Sequence, residues 1–199
     1  MKSLTVIFIG PQGSGKGTQI EKLYKTLEKR DPLRQIIDLQ TGRRFRSLAV
    51  KYETFAERKI DKSLKEGKMQ PDFLTYVLWG QAMLDRLDNK SHLLIDGFPR
   101  TLTQAKVLEE ALLFFEREEV VVINLDTPEE VVRERMLSRA RDDDTRESIE
   151  NRLSWYRNDT LPVLDYYKNR PHTMVHDIDG TSSVDQVHQD ILIALGLME

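Results

Sequence analysis

The segment Gly10-Pro11-Gln12-Gly13-Ser14-Gly15-Lys16-Gly17-Thr18 constrains this chain more than any other. It follows the apolar run Val6-Ile7-Phe8-Ile9 and precedes Ile20, Leu23, Tyr24 and Leu27, which repeat at helical spacing. The order is therefore buried strand, glycine-rich loop, amphipathic helix, which is the setting a phosphate-binding loop requires. Glycines let the backbone turn and carry N–H groups onto phosphate oxygens, and the helix N-terminus adds positive potential. Lys16 supplies a point charge for the β- and γ-phosphates of a nucleotide. The strict form of such a loop has Ser or Thr directly after the lysine. Here Gly17 intervenes and the hydroxyl comes at Thr18. A ligand-free glycine turn is the bland alternative, and the ordered strand, loop, lysine and helix weigh against it. The loop implies nucleotide binding and leaves open what receives the phosphate.

Further apolar runs alternate with helical patterns. Ile36-Ile37-Asp38-Leu39, His92-Leu93-Leu94-Ile95, Val120 to Leu125 and Thr173 to Ile178 read as strands. Asp126-Thr127-Pro128 opens a helix, with Pro128 suited to its first turn. Leu102, Ala105, Leu108 and Leu112 share one helix face, and a last helix runs through Val184, Val187, Ile191 and Leu195. Five continuous apolar strands separated by helices imply an α/β fold, a parallel sheet covered on both faces. Two long helical stretches interrupt the alternation, from about Arg43 to Leu87 and from about Glu129 to Lys168. They are natural places for substrate-binding lobes or lids.

The length of 199 residues suits one domain, and 39% hydrophobic with 32% charged residues supports both a core and a solvated surface. With a net charge of -3, the molecule as a whole attracts neither nucleic acid nor an anionic membrane, so any positive site is local. The chain has no cysteine, which excludes disulfides, iron–sulfur clusters and cysteine-based zinc sites and fits a cytoplasmic setting. His172 and His176 have a metal-like separation but sit on a strand, where four residues is no face repeat. No apolar run has the ~18 residues of a membrane span. The apolar opening is too short for a signal peptide and lacks a cleavage site. A monomer is the expectation.

Gly-x-x-Gly-x-Gly-Lys-Gly-Thr resembles the loop of the adenylate kinase family of nucleoside monophosphate kinases, and further motifs follow in that family's order. Asp96-Gly97-Phe98-Pro99-Arg100-Thr101, with Gln104 after it, is similar to the central signature. Thr41-Gly42 with Arg46 resembles the first monophosphate motif, and Gly67-Lys68-Met69 before Pro71-Asp72 the segment lining the acceptor base. Arg135, Arg139, Arg141, Asp143, Asp144 and Arg152 resemble the lid and its arginines. Asp179-Gly180-Thr181 resembles the loop over the ATP base.

The resemblance covers nearly the whole chain. It implies a P-loop NTPase fold with a five-stranded parallel sheet, a helical monophosphate-binding lobe and a very short lid. The core would be residues 1–40, 71–135 and 145–199, the lobe about 41–70 and the lid about 136–144. It implies reversible, Mg²⁺-dependent transfer of the ATP γ-phosphoryl group to a nucleoside monophosphate. Gly13, Ser14, Gly15, Lys16, Gly17, Thr18, Arg135, Arg139 and Ser182 would surround ATP. Thr41, Arg46, Lys68, Met69, Gln70, Gly97, Phe98, Pro99, Arg100, Gln104, Arg141 and Arg152 would surround the monophosphate. Lys16, Arg100, Arg139, Arg141 and Arg152 would be catalytic, and Asp96 would hold Mg²⁺ through water.

These residue types suit such a transfer. The acceptor oxygen attacks directly, so the protein's work is to align two polyanions and neutralise charge. Arginine's planar fork holds two phosphate oxygens at once. Asp96, at the C-terminal end of a strand, stands where open α/β sheets put ligands. Bland alternatives exist: Arg135 and Arg139 could pair with Glu129, Glu130 or Glu134, Arg152 could be surface, and Asp143 or Asp144 could cap the next helix or contact nucleotide. Two departures stand out. Arg43 occupies the place where the family has Asp, either turning to solvent or adding charge beside the acceptor. Only Ala140 separates Arg139 from Arg141, so closure would be a small movement of two helix ends, and a zinc-bearing lid is excluded.

Thr41 and Gln104 offer hydrogen bonds to a base. The resemblance, in which a Thr at this place accompanies AMP, implies AMP as the acceptor, with UMP or CMP as the second choice. Two other classes are a kinase for a small alcohol sharing only the loop, and a nucleotide-binding regulatory module without transfer activity.

Overall fold

A computed structural model describes residues 1–139 and 141–198. Ala140, expected as the lone spacer between Arg139 and Arg141, lies outside the described residues. Five parallel strands form one sheet: β1 (Thr5–Ile9), β2 (Ile36–Gln40), β3 (His92–Asp96), β4 (Val120–Asp126) and β5 (Thr173–Asp179). Their spatial order is β2-β3-β1-β4-β5. The chain leaves β1 toward one side and later returns to build the other, so a crevice opens at the C-terminal end of β1. The glycine-rich loop lies there.

Helices cover both faces. On one face α1 (Lys16–Arg30) and α9 (Val184–Ala194) bury Ile20, Leu23, Leu27, Val187 and Ile191 against Val6, Phe8, Leu94 and Ile123. On the other, α4 (Asp72–Arg86), α5 (Leu102–Phe114) and α8 (Leu161–Lys168) pack Trp79, Met83, Leu108 and Val163 against Ile7, Ile37, Leu93 and Val122. This alternation of side chains along each strand is the period-two geometry of a doubly covered sheet. β5 departs from the expectation of five buried strands: it is an edge, and its Met174 is 55% exposed.

The two long helical stretches are divided. The first becomes α2 (Thr41–Lys51), α3 (Phe55–Lys65) and α4. Tyr52 in the left-handed region ends α2, and Thr54 caps α3 with a reciprocal bond to Glu57. The second becomes α6 (Glu129–Ser138), α7 (Arg146–Trp155), a π-helical turn (Tyr156–Thr160) and α8. Pro128 is the N-cap residue of α6 rather than a member of its first turn, a one-residue difference that leaves its missing N–H harmless.

The turn after α3 abuts α7. Gly67 has φ +66, and a Cβ there would fall 2.2 Å from the Ser148 carbonyl oxygen. Gly67→Ala is expected to combine backbone strain with this clash and lower the melting temperature by about 5 °C or more. A melt within about 1 °C of the parent would show that α7 yields freely. No helix among the described residues is long and apolar enough to cross a membrane.

Candidate active site

β1 ends at Ile9, and the loop that follows has Gly13 at φ +94. A Cβ on Gly13 would meet Met136 Cγ at 2.9 Å and the Val132 carbonyl at 3.1 Å, so glycine lets α6 press against the loop. Helix α1 then starts at Lys16 with Gly15 as N-cap, without a side-chain cap and without an acid in its first turn. Its leading N–H groups are thus left for an anion.

The loop forms one side of a cavity of about 490 Å³. Gly13, Ser14, Gly15, Lys16, Gly17, Thr18 and Ser182 line it, as do Gly97, Phe98, Pro99 and Arg100 from the segment after β3. Phe98 stacks on Trp79 with ring centres 5.3 Å apart, anchoring that segment to the core. Lys16, Arg43, Arg46, Arg100, Arg135, Arg139 and Arg141 bring positive charge to the wall, against only Glu21 and Asp96 among its described carboxylates.

The cations are held differently. Lys16 Nζ donates to the carbonyls of Gly10 (2.7 Å) and Pro11 (2.8 Å) and to Ser14 Oγ (3.4 Å), so the loop wraps its own lysine. Loss of hydration pushes Lys16 down to about 8; Asp96 opposes this, and Arg100 and Arg139 add to it. Arg135 donates to Gly180 O at 2.9 Å. Arg139 makes two bonds to Asp144, 2.5 and 3.0 Å. Both arginines therefore have partners other than the surface glutamates of α6. Arg46, Arg100 and Arg141 differ: among the described residues no carboxylate or carbonyl bonds their guanidinium groups. Dehydration pushes Arg100 down to about 10, with Asp96 opposing and Arg152 and Arg46 adding to it. Dehydration and then Arg141 lower Arg46. Unpaired like charges brought together are costly unless an anion completes them.

Other expected site residues stand off the wall. Thr41 is buried against Gly97, its hydroxyl 3.4 Å from Asp96 O. Lys68 is exposed and pairs with Glu66 at 2.7 Å. Met69 is half-buried, and Gln70 is buried with its amide donating to Ser63 Oγ at 2.6 Å. Gln104 is buried, accepting from the Arg100 N–H at 2.8 Å and donating to Asp72 Oδ1 at 2.7 Å, so it supports Arg100 from behind. Arg152 is not a surface residue: it is 4% exposed and donates to Asp144, Asp143 and Leu64 O. Asp143 and Asp144 do not cap α7, because Thr145 does so with Ser148.

Arg43 lies on the wall and pairs with Glu21 of α1, which joins the two sequence-level alternatives for it. Sequence reasoning missed Glu21, Gln40, Trp155 and Thr160, all of which line the cavity. It also missed Asp38, whose Oδ2 accepts from Gln40 at 2.6 Å while its Oδ1 is buried with no partner among the described residues.

Asp96 Oδ1, at the cavity edge, is likewise buried and has no hydrogen-bond partner among the described residues. An acceptor-only oxygen there fits a water-held divalent cation. No described group of three or more His, Cys, Asp or Glu side chains is placed to grip a metal directly.

A family model described as adenylate kinase matches residues 8–172. Adenylate kinase 1 of Nostoc sp. is 39% identical over 191 residues, 96% of this chain and 98% of the relative. The adenylate kinase of Corynebacterium urealyticum is 36% identical over 96% of this chain and 99% of its own. That of Nocardia farcinica is 34% identical over 97% and 99%.

Proposed function

Because the chain belongs to the adenylate kinase family, we propose that its basic cavity holds ATP on the glycine-rich loop and AMP on the side of Gly42, Arg46 and Arg100. The protein catalyses reversible transfer of the ATP γ-phosphoryl group to AMP, giving two ADP. In this step an AMP phosphate oxygen bonds to the γ-phosphorus as the bridge to the β-phosphate breaks, and the released pair stays on ADP.

The observation that carries the reading is the set of guanidinium groups at positions 46, 100 and 141, bonded by no carboxylate or carbonyl among the described residues, around the cavity that the loop opens into. Lys16 and the α1 N-terminus take the β- and γ-phosphates. Arg46 and Arg100 orient the acceptor phosphate, and Arg139 and Arg141 gather the charge passing between them. Arg152 acts one step back, through Asp144 on Arg139. Asp96 would hold Mg²⁺ through water, and the bound ion would offset charge on the β- and γ-phosphates. Helices α2 and α3 form the monophosphate lobe, and the short connection from α6 to α7 serves as the lid. The acceptor base enters beyond Gly42, toward Thr41, Lys68, Met69, Gln70 and Gln104.

The names of the relatives favour AMP over UMP or CMP. ADP formation at fixed MgATP with AMP, CMP, UMP, GMP and dTMP tests this. AMP should lead in kcat/KM by about tenfold or more. A larger value for UMP or CMP would overturn the acceptor assignment, and no transfer to any of the five would support a regulatory module.

A further inference from the structure

Arg100 presents an open guanidinium to the cavity, and its backbone N–H is taken by Gln104. The group lying against the guanidinium is the indole of Trp155, on the last turn of α7, with the ring centre 4.9 Å from Cζ. An aromatic face attracts a cation through its quadrupole yet accepts none of the in-plane N–H bonds. The fork is thereby held in place with its donors still free for phosphate, which a carboxylate partner would not allow.

Trp155 has a second attachment. Its Nε1 donates to Gly67 O at 3.1 Å, in the turn after α3. Two neighbours on α7 grip the same region: Asn151 donates to Glu66 O at 2.9 Å and Arg152 to Leu64 O at 3.0 Å. The chain then passes through the π-helical turn to Thr160, whose hydroxyl donates to Arg100 O at 3.0 Å. In a regular α-helix residues 155 and 160 would face about 140° apart. The wider π turn, bonded i to i+5, brings them round to bracket Arg100, one on its side chain and one on its backbone.

We propose that Trp155 is the positioning residue of the acceptor site: its ring aims the Arg100 guanidinium, and its bond to Gly67 couples that aim to the seating of α3. The proposal rests on the assignment of Arg100 to the AMP phosphate. Seating of the helices on the acceptor side and placement of the cation are then a single event. This gives a KM for AMP that depends on a residue making no contact with the base.

The test compares the full chain with Trp155→Phe, which keeps a ring but loses the Nε1 bond, and Trp155→Leu, which loses both. The AMP KM should rise in the order parent, Phe variant, Leu variant, reaching about 3- to 30-fold, while the ATP KM stays within about twofold. Tryptophan emission gives a second readout. AMP without ATP should change the emission of the parent, and the change should be absent in Trp155→Phe, which retains only Trp79. If Trp155→Leu does not fold, Trp155→Phe decides alone. An AMP KM unchanged in the variants, AMP and ATP KM values rising together, or the same emission change in Trp155→Phe would each overturn the proposal. Absence of ADP formation by the parent would instead sink the assignment beneath it.

Discussion

Lys16→Ala is expected to lower kcat by about 10²- to 10³-fold while leaving the fold intact. Lys16 is the one cation contributed by the glycine-rich loop itself, and its ammonium lies among the Gly10 and Pro11 carbonyls at the mouth of α1. In the proposed site an arriving γ-phosphate would replace those acceptors. The loss of hydration that pushes Lys16 to about 8 makes it a poorly satisfied charge before ligand arrives. Phosphate then stabilises the charged form, so ATP binding raises the lysine pKa. The free site loses this proton as pH rises through about 8, and ATP binding there must take one up. The ATP KM should therefore climb above pH 8 in the parent and lose that rise in Lys16→Ala. The stability effect has the opposite sense from that of a paired lysine. The folded value lies below the ordinary 10.5, so the cost of holding the charge is full below pH 8 and fades toward pH 10.5. The variant should accordingly melt no lower than the parent at pH 7. Unchanged kcat would refute the role, and a large drop in melting temperature would assign the loss to folding.

What was legible in the sequence was local. The strand from Val6 to Ile9, the loop to Thr18 and the helix after it are consecutive, and each needs only its own residues to take shape. The same holds for Asp96 to Arg100, fixed by the end of β3 and by the Thr101 cap of α5. Partner choice was not legible. Periodicity put Arg139 near the glutamates of α6, yet it pairs with Asp144 beyond the helix end. For Arg152 the resemblance implied a place in the site and its charged neighbours left a surface position open; it is buried because α7 packs on the turn after α3. Gln104 offered an amide to a base, and the fold spends that amide on Asp72 and Arg100. Trp155 carried no signal at all, since its meaning arises only where α7, Gly67 and Arg100 meet. The break at Tyr52 was equally hidden, because a non-glycine residue takes the left-handed turn there.

Asp144→Ala is expected to give the largest loss of stability of any single substitution discussed. The Asp144 side chain is fully buried and accepts from Arg139 twice and from Arg152 once, at 2.6 Å. Removing it leaves Arg152, itself 4% exposed, with Asp143 and two carbonyls, and leaves Arg139 without a carboxylate. Breaking one member of a buried charged triad costs about 3–5 kcal/mol, because the remaining charges stay desolvated. For a chain of this size that is a fall of about 6–20 °C in melting temperature. Burial works against ionisation of Asp144, but the bonds and charge of Arg139 and Arg152 outweigh it and hold the carboxyl below its ordinary value. A depressed carboxyl contributes stability above the unfolded pKa and loses it as pH falls through the folded one. The gap between parent and variant should therefore be full at pH 7 and narrow in acid, below about pH 4. Turnover should fall with stability, since the same carboxylate aims Arg139 at the loop, and Asp144→Asn should recover more of the melting temperature than of kcat, an amide filling the space without the charge. A variant melting within about 2 °C of the parent at pH 7 would mean that water reaches these arginines and that the junction of α6 with α7 does not depend on the triad.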